Sequence, residues 1–420
     1  MGLYSDREKH YTVSDIELEK ELNKPGSFKN LALNNTGFED SKRTCVYYSN
    51  WSIYNDRQHF PKDIPLQLVT NVFYCFMNIN PKTGEVSLSD EESDVEIALD
   101  SINNDGSKVS GIIGQFQEMK SKKRSFKLSM SIGGQSNHGQ FTKAMKSNKK
   151  LERFVDSSIN LLVEHGFDGI DLDWEYPETV FEGNQYLRLV KRLRKRLDDL
   201  EDEKGLERGS LLVTMASPGT EEFSSKLFIE EFDKYLSFWN LMTYDFAGEW
   251  SEKAGYHCNL YPTEGGEYSG DQTVQYYLSK GVRPEKLTLG MANYGRGFLK
   301  TKGLNQPFHG VGAGSTDEEG IWNYNFLPLE GTEEEYDEDA VSAYIYDSDK
   351  KFFIGYDNPE SVQAKAEYVV ANKLGGGMWW ESCGDTYDDK ERSLLYTFVE
   401  AIGGEDMLDS VSENWVNFKE

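Results

Sequence analysis

Residues 167–177 read FDGIDLDWEYP, and this stretch decides how the rest of the chain is arranged. It has the apolar and aromatic content of a strand, and Pro177 blocks further regular pairing. Side chains alternate between the two faces of a strand, so Asp171, Asp173 and Glu175 project from one face, each about 6 to 7 Å from the next. Apolar side chains project from the other face. The stretch therefore predicts a strand that carries a row of three carboxyl groups.

Two interpretations of this acidic row are open from the residues alone. Acids on a strand are commonly the solvated face of an edge strand or the ligands of a divalent cation. Here, however, aromatic residues surround the last carboxyl group. Crowded and partly desolvated carboxyl groups raise one pKa while a neighbour stays ionised, which suits a general acid. The spacing favours catalysis without establishing it.

Composition excludes several classes of ligand. The chain has 420 residues, with 45 Lys and Arg against 72 Asp and Glu, and its net charge is −27. Nucleic acids and anionic membranes would be repelled, whereas a neutral polymer would not. The four cysteines lack CxxC spacing and are expected to be reduced. The six histidines form no metal-binding motif, so we predict no metal and no cofactor.

Short apolar segments alternate with amphipathic ones from about residue 44 onward, as in repeated βα units. Eight strands are predicted, at Thr44–Tyr48, Leu68–Ile79 in part, Lys127–Ile132, Gly169–Trp174, Leu211–Ala216, Phe238–Thr243, Lys286–Met291 and Gly377–Trp380. Eight strands with helical crossovers favour a (β/α)8 TIM barrel of the α/β class over an open doubly wound sheet.

The sequence DGIDLDWEYP resembles the signature of the glycoside hydrolase family 18 chitinases. The resemblance implies that Glu175 is the general acid and that the substrate's own acetamido group is the nucleophile. It further implies that Asp173 supports this group, that Asp171 adjusts Asp173 through a shared proton, and that Tyr244 fixes the acetamido oxygen. Family 18 is a substrate-assisted exception to the two-carboxylate scheme of glycosidases.

Further motifs of the same family occur in the expected order, mostly at strand ends. They include the SxGG element at 131–134, the MTYD stretch at 242–245 and the GGxMxW pattern that ends at Trp380. By this resemblance, the predicted substrate-binding residues are Tyr48, Phe76, Gly133, Gly134, Met215, Met242, Asp245, Arg296 and Trp380. Several of these also fit purely structural roles, such as a glycine turn or a core side chain.

The interval between the seventh and eighth strands is too long for one crossover. We predict a small inserted α+β domain over residues 299–353, of the kind found in this family. The remaining chain divides into a polar N-terminal arm (1–42), the two parts of the catalytic barrel (43–298 and 354–403) and a loosely packed C-terminal tail (404–420).

The resulting functional prediction is a chitinase that hydrolyses β-1,4-N-acetylglucosamine linkages in chitin or chitooligosaccharides with retention of configuration. Two alternatives are an endo-β-N-acetylglucosaminidase acting on N-glycan cores and a non-catalytic chitin-binding lectin. We expect a monomer with no nucleic-acid or membrane partner. Because residues 1–30 contain no apolar signal segment, we expect an intracellular protein, with non-classical secretion or a processed chain as the alternative.

Overall fold

The computed structural model describes residues 41–55, 57–102 and 108–415. The predicted N-terminal arm therefore lies outside the described residues, apart from Ser41 and Lys42. Within the described ranges, the strands are β1 (Arg43–Ser49), β2 (Asn71–Ile79), β3 (Val86–Ser87), β4 (Ala98–Ile102), β5 (Lys108–Ser110), β6 (Lys127–Gly133), β7 (Gly169–Asp173), β8 (Leu212–Ser217), β9 (Phe238–Leu241), β10 (Leu287–Ala292), β11 (Tyr294–Leu299), β12 (Ile321–Asn323), β13 (Glu334–Asp337), β14 (Ser342–Asp347), β15 (Phe352–Tyr356) and β16 (Gly376–Trp380).

Eight of these strands form a closed parallel barrel, in the order β1, β2, β6, β7, β8, β9, β10 and β16, with β16 pairing back to β1. The α-helices of the described chain are Gly111–Lys122, His138–Ala144, Asn148–His165, Val180–Lys204, Glu221–Ser224, Ile229–Asp233, Gly270–Ser279, Pro359–Ala371 and Leu394–Ala401. The prediction of a (β/α)8 barrel is confirmed. Among these helices, none is long and apolar enough to cross a membrane.

Helix-capping residues precede and follow the strand that carries the acidic row. The helix Asn148–His165 begins at Ser147, whose hydroxyl accepts the Lys150 N–H, and it ends at Gly166 in the left-handed conformation (φ +69°). Strand β7 follows within three residues. Glycine after a helix allows this sharp reversal because it has no Cβ. The next helix, Val180–Lys204, begins at Thr179.

The two faces of β7 lie in different surroundings. Ile170, Leu172 and Trp174 are buried in the apolar layer between the barrel and its helices. Asp171 and Asp173 are buried on the opposite face, inside the barrel. The predicted alternation is therefore present, and it directs the carboxyl groups toward the barrel axis, where the C-terminal strand ends form the active-site face of this fold.

The insertion between β10 and β16 differs from the predicted α+β domain. It is an antiparallel sheet in the order β12, β11, β15, β14, β13, and the described residues 299–353 contain a 3-10 helix at Tyr324–Phe326 but no α-helix. The sheet also includes β11, which begins before residue 299, and β15, which ends after residue 353. Frequent glycines interrupt helical periodicity in this interval, and alternating aromatic residues favour strands.

The prediction of a loosely packed C-terminal tail is wrong for the described residues up to 415. The Asn414 side-chain amide donates to the backbone oxygens of Lys120 (2.9 Å), Lys123 (3.1 Å) and Phe126 (2.7 Å). The Trp415 N–H donates to Asp168 Oδ1 at 2.6 Å. The last carbonyl groups of a helix lack intrahelical donors, and Asn414 supplies one to Lys120 in the last turn of the helix Gly111–Lys122 and also bonds the connection that follows it.

Candidate active site

The first carboxyl group of the row lies deep in the barrel within a complete set of donors. Asp171 Oδ2 accepts from the hydroxyls of Tyr47 (2.9 Å) and Ser131 (2.8 Å). Its Oδ1 accepts from the Thr214 hydroxyl (2.6 Å) and, more weakly, from the Asn240 amide (3.5 Å). Burial raises the pKa of Asp171 although these donors oppose the rise. The group is held by four strands and has little freedom to move.

The second carboxyl group has an oxygen without a protein partner. Asp173 is 3% exposed, and its Oδ1 is buried with no hydrogen-bond partner among the described residues. Burial raises the pKa of Asp173 well above its ordinary value, and the charges of Glu175 and Asp171 raise it further. Asp173 is therefore easier to protonate than an ordinary aspartate, and it has one unpaired oxygen at the cavity.

The third carboxyl group, Glu175, is half-buried at the same cavity floor. Burial raises its pKa from 4.5 to about 7, and the charge of Asp245 adds to the rise. Hydrogen bonds from the Tyr176 side chain and the Gln135 backbone partly offset it. A carboxyl group with this pKa is largely protonated below neutral pH, which is the state required of a general acid.

A separate network holds Asp245 ionised. Its Oδ1 accepts from the Tyr294 hydroxyl and from Arg296 Nε, both at 2.6 Å. Burial alone would raise the pKa of Asp245, but the charge of the Arg296 guanidinium and its hydrogen bond bring this pKa well below its ordinary value. Asp245 is thus a fixed negative charge that acts on Glu175.

The cavity above the acidic row has a volume of about 1170 Å³. Trp380 lies at its floor and stacks on Phe76, with ring centroids 5.7 Å apart. Tyr244 also lines the cavity, and its hydroxyl contacts Met378 Sδ at 3.7 Å, a weak acceptor that leaves the hydroxyl available to a ligand. Aromatic faces of this kind stack against the apolar faces of sugar rings.

The structure brings most of the predicted site residues to this one cavity. Its lining includes Asp173, Glu175, Tyr244, Phe76, Met242, Asp245, Arg296 and Trp380, and Asp171 lies directly beneath. Phe76 reaches the cavity because the register of β2 against β6 shifts between Tyr74 and Met77.

The predicted ligand contacts of Gly133 and Gly134 need correction, since neither residue lines the cavity. They allow close packing instead. A Cβ on Gly133 would lie 2.1 Å from the Asp173 carbonyl oxygen, and one on Gly134 would lie 2.5 Å from the Phe76 ring. Both have positive φ, at +125° and +81°. These glycines let the backbone approach the acidic strand, and they position the site without contacting a ligand.

Tyr48 and Met215 are wrongly predicted as substrate-binding residues. Both are fully buried in the layer between barrel and helices, and the Tyr48 hydroxyl donates to the His59 carbonyl oxygen at 2.8 Å. The neighbouring residues Tyr47 and Ala216 line the cavity instead. The error is one position in each strand, which reverses the face on which a side chain lies.

Sequence reasoning also missed several residues of the cavity. Trp51, Gln135, Tyr176, Trp250 and Glu381 line it. Alternation places Tyr47 on the same face as Cys45 and Ala216 on the same face as Thr214, but the sequence does not say which face points inward. The loop residues carry no comparable periodic signal, and only the fold brings them to the cavity. No cluster of His, Cys, Asp and Glu suited to a metal ion is found in the part of the chain that the structure describes.

The chain is similar to known proteins in sequence and in structure. The family model for glycosyl hydrolases family 18 matches residues 43–385. Sporulation-specific chitinase 2 of Saccharomyces cerevisiae is 42% identical over 398 residues, which cover 85% of this chain and 77% of the relative. Chitinase 1 of Aphanocladium album is 34% identical, with 89% of this chain and 90% of the relative covered. The solved Group IV chitinase of Ostrinia furnacalis has a TM-score of 0.75 and 27% identity, with 86% of this chain and 99% of that chain covered.

Proposed function

Because the chain belongs to glycosyl hydrolases family 18, we propose that its cavity binds chitin or chitooligosaccharides and cleaves the β-1,4 linkage between N-acetylglucosamine units. Relatives named as chitinases cover most of the chain, and solved plant chitinases of the same fold contain oligosaccharides such as NAG4 and (GlcNAc)3. The observation that carries the mechanism is the unpaired, buried Asp173 oxygen beside a carboxyl group whose pKa is raised to about 7.

The first half-reaction breaks the glycosidic bond. Glu175 donates its proton to the glycosidic oxygen as the bond from this oxygen to the anomeric carbon breaks. The carbonyl oxygen of the substrate's acetamido group forms the new bond to that carbon, and an oxazolinium ion results. Asp173 Oδ1 accepts the acetamido N–H, and Tyr244 donates its hydroxyl proton to the acetamido oxygen. Each donor and acceptor is thus placed before the charge develops.

The second half-reaction regenerates the acid. The Glu175 carboxylate takes a proton from water, the water oxygen bonds to the anomeric carbon, and the acetamido oxygen leaves it. Two displacements at one carbon retain its configuration. One proton shared by Asp171 and Asp173 leaves the pair with a net negative charge beside the positive oxazolinium ion. The donors from Tyr47, Ser131 and Thr214 keep this charge localised.

Hydrolysis of a fluorogenic chitotriose glycoside tests this function. Wild type and Glu175→Gln are compared, and binding of chitooligosaccharide is measured in parallel. Loss of a general acid lowers kcat by about 10² to 10⁴-fold while binding persists. Wild-type protein that binds but does not turn the glycoside over would be a lectin. Wild type that instead releases glycans cleaved in their chitobiose core would be an endo-β-N-acetylglucosaminidase.

The finer prediction of a monomer belongs to the same proposal. Light scattering coupled to size-exclusion chromatography would give about 48 kDa for a monomer of this chain. The intracellular location stays a prediction that cell fractionation would test.

A further inference from the structure

A fully buried histidine lies directly behind Asp245, outside the set of residues that the proposed reaction uses. His257 Nδ1 is 3.5 Å from the Asp245 backbone nitrogen and 3.7 Å from Asp245 Oδ1. Its Nε2 is 3.1 Å from the Tyr294 carbonyl oxygen. The ring lies 4.9 Å from the Tyr294 ring. His257 therefore contacts both segments that build the Asp245 network.

These contacts fix the tautomer of the ring. A carbonyl oxygen only accepts, so Nε2 carries the hydrogen and donates to Tyr294. In a neutral ring, Nδ1 is then the acceptor, and it faces the Asp245 N–H. Burial lowers the pKa of His257, which agrees with a neutral ring. The charged groups that act on this ring are Asp245, Arg296 and Asp357.

Asp245 needs such support because of its backbone. Its φ is +61°, in the left-handed region that residues other than glycine adopt at a cost. The adjacent Phe246 N–H donates to the His257 carbonyl oxygen at 3.0 Å. The His257 side chain and main chain thus hold two successive N–H groups of this turn. The turn directs the Asp245 carboxylate toward the Tyr294 hydroxyl and Arg296.

We infer that His257 is a positioning residue that holds Asp245 in the conformation in which its charge faces Glu175. The inference rests on the proposed function, because it concerns the acid of that reaction. It adds a residue that does not line the cavity and touches no substrate. His257 acts through Asp245, and its loss changes the acid without removing any group that reacts.

The test is the pH dependence of kcat and kcat/KM for hydrolysis of the chitotriose glycoside. The Asp245 charge raises the pKa of Glu175, so a displaced Asp245 lowers it. We expect His257→Ala to move the alkaline limb of the profile to lower pH. A displacement of this kind also lowers kcat by about 10 to 100-fold. His59→Asn is the matched control, since His59 is a buried histidine whose ring contacts Ser382 and does not line the cavity.

Two conservative variants separate positioning from mere packing. His257→Asn keeps an acceptor near the Nδ1 position and should approach wild type. His257→Gln keeps a donor toward Tyr294 but loses that acceptor, and it should resemble His257→Ala. In an Asp245→Asn background, His257→Ala should lower kcat little further, because the effects of substitutions at residues that act as one unit are not additive.

The inference is overturned if a folded His257→Ala, or His257→Gln should the alanine variant fail to fold, retains the wild-type profile and kcat. Additive losses in the Asp245→Asn background also overturn it. In both results wild type is active, so only this inference fails. If wild type hydrolyses no chitooligosaccharide glycoside, the proposed function fails and the inference fails with it.

Discussion

Glu175→Gln should make the folded protein more stable at alkaline pH. In the folded state the pKa of Glu175 is raised from 4.5 to about 7, first by burial and then by the Asp245 charge. A raised pKa favours folding below the unfolded value, and this advantage is lost as the pH rises through the folded value. At about 1.4 kcal/mol for each pH unit, ionising Glu175 destabilises the folded state by about 3 kcal/mol at pH 8. Glutamine carries no charge and avoids this cost.

Thermal unfolding followed by circular dichroism measures the effect. With an unfolding entropy of about 2.1 cal/mol/K per residue over 420 residues, about 3 kcal/mol raises Tm by roughly 3 °C at pH 8. At pH 4, below both pKa values, the difference should nearly vanish. The exposed Glu230→Gln serves as the control and should show no such dependence. An equal or lower Tm for Glu175→Gln at pH 8 would refute the claim that the site holds this carboxyl group at a raised pKa.

Three further substitutions test other parts of the account. Tyr47→Phe removes the 2.9 Å donor to Asp171 and should lower kcat by about 10 to 100-fold, with little change in KM, because a hydrogen bond to a charged group contributes about 1.5 to 3 kcal/mol. An unchanged kcat would contradict this role. Gly134→Ala places a Cβ against the stacked aromatic pair and should raise KM and lower Tm, whereas Gly139→Ala, where a Cβ meets nothing within 4 Å, should do neither. Asn414→Ala leaves the backbone oxygens of Lys120, Lys123 and Phe126 without this donor and should lower Tm by about 1 to 3 °C, while kcat at 25 °C stays at the wild-type value. A loss of kcat without a loss of stability would contradict a purely structural role.

The sequence was most informative where a short-range rule acts alone. Alternation along β7 correctly separates the carboxyl row from Ile170 and Leu172, since a strand has a fixed period of two. This alternation is local, because one segment of the chain contains all the information that it needs. The eight apolar segments favour a barrel over an open sheet, but the closure itself is a contact between β1 and β16, far apart in the chain.

The remaining errors concern contacts between distant segments. Tyr48 and Tyr47 have similar side chains, and only the register of β1 in the barrel decides which of them meets Asp171. Asn414 lies 294 residues from Lys120 along the chain, so no local pattern predicts their hydrogen bond. His257 is not part of a recognisable sequence motif. Its contact with Tyr294 arises only in the folded chain, where β11 lies beside it.

The cavity also explains why a strongly acidic protein can bind its substrate. The net charge of −27 repels a polyanion, but an N-acetylglucosamine polymer is neutral and is not repelled. Aromatic faces such as Trp380 and Phe76 supply contact area without charge. The acids of the site are therefore free to serve the reaction, and binding and catalysis use different classes of side chain.

The configuration of the first product tests the central claim most directly, because the claim is that the substrate's acetamido group attacks the anomeric carbon. Wild-type protein is mixed with chitotetraose, and proton NMR follows the new reducing ends before mutarotation equilibrates them. Two displacements at one carbon yield the β anomer first, which is the predicted result. Initial formation of the α anomer would mean direct attack by water, and the substrate-assisted roles of Asp173 and Glu175 would then be wrong.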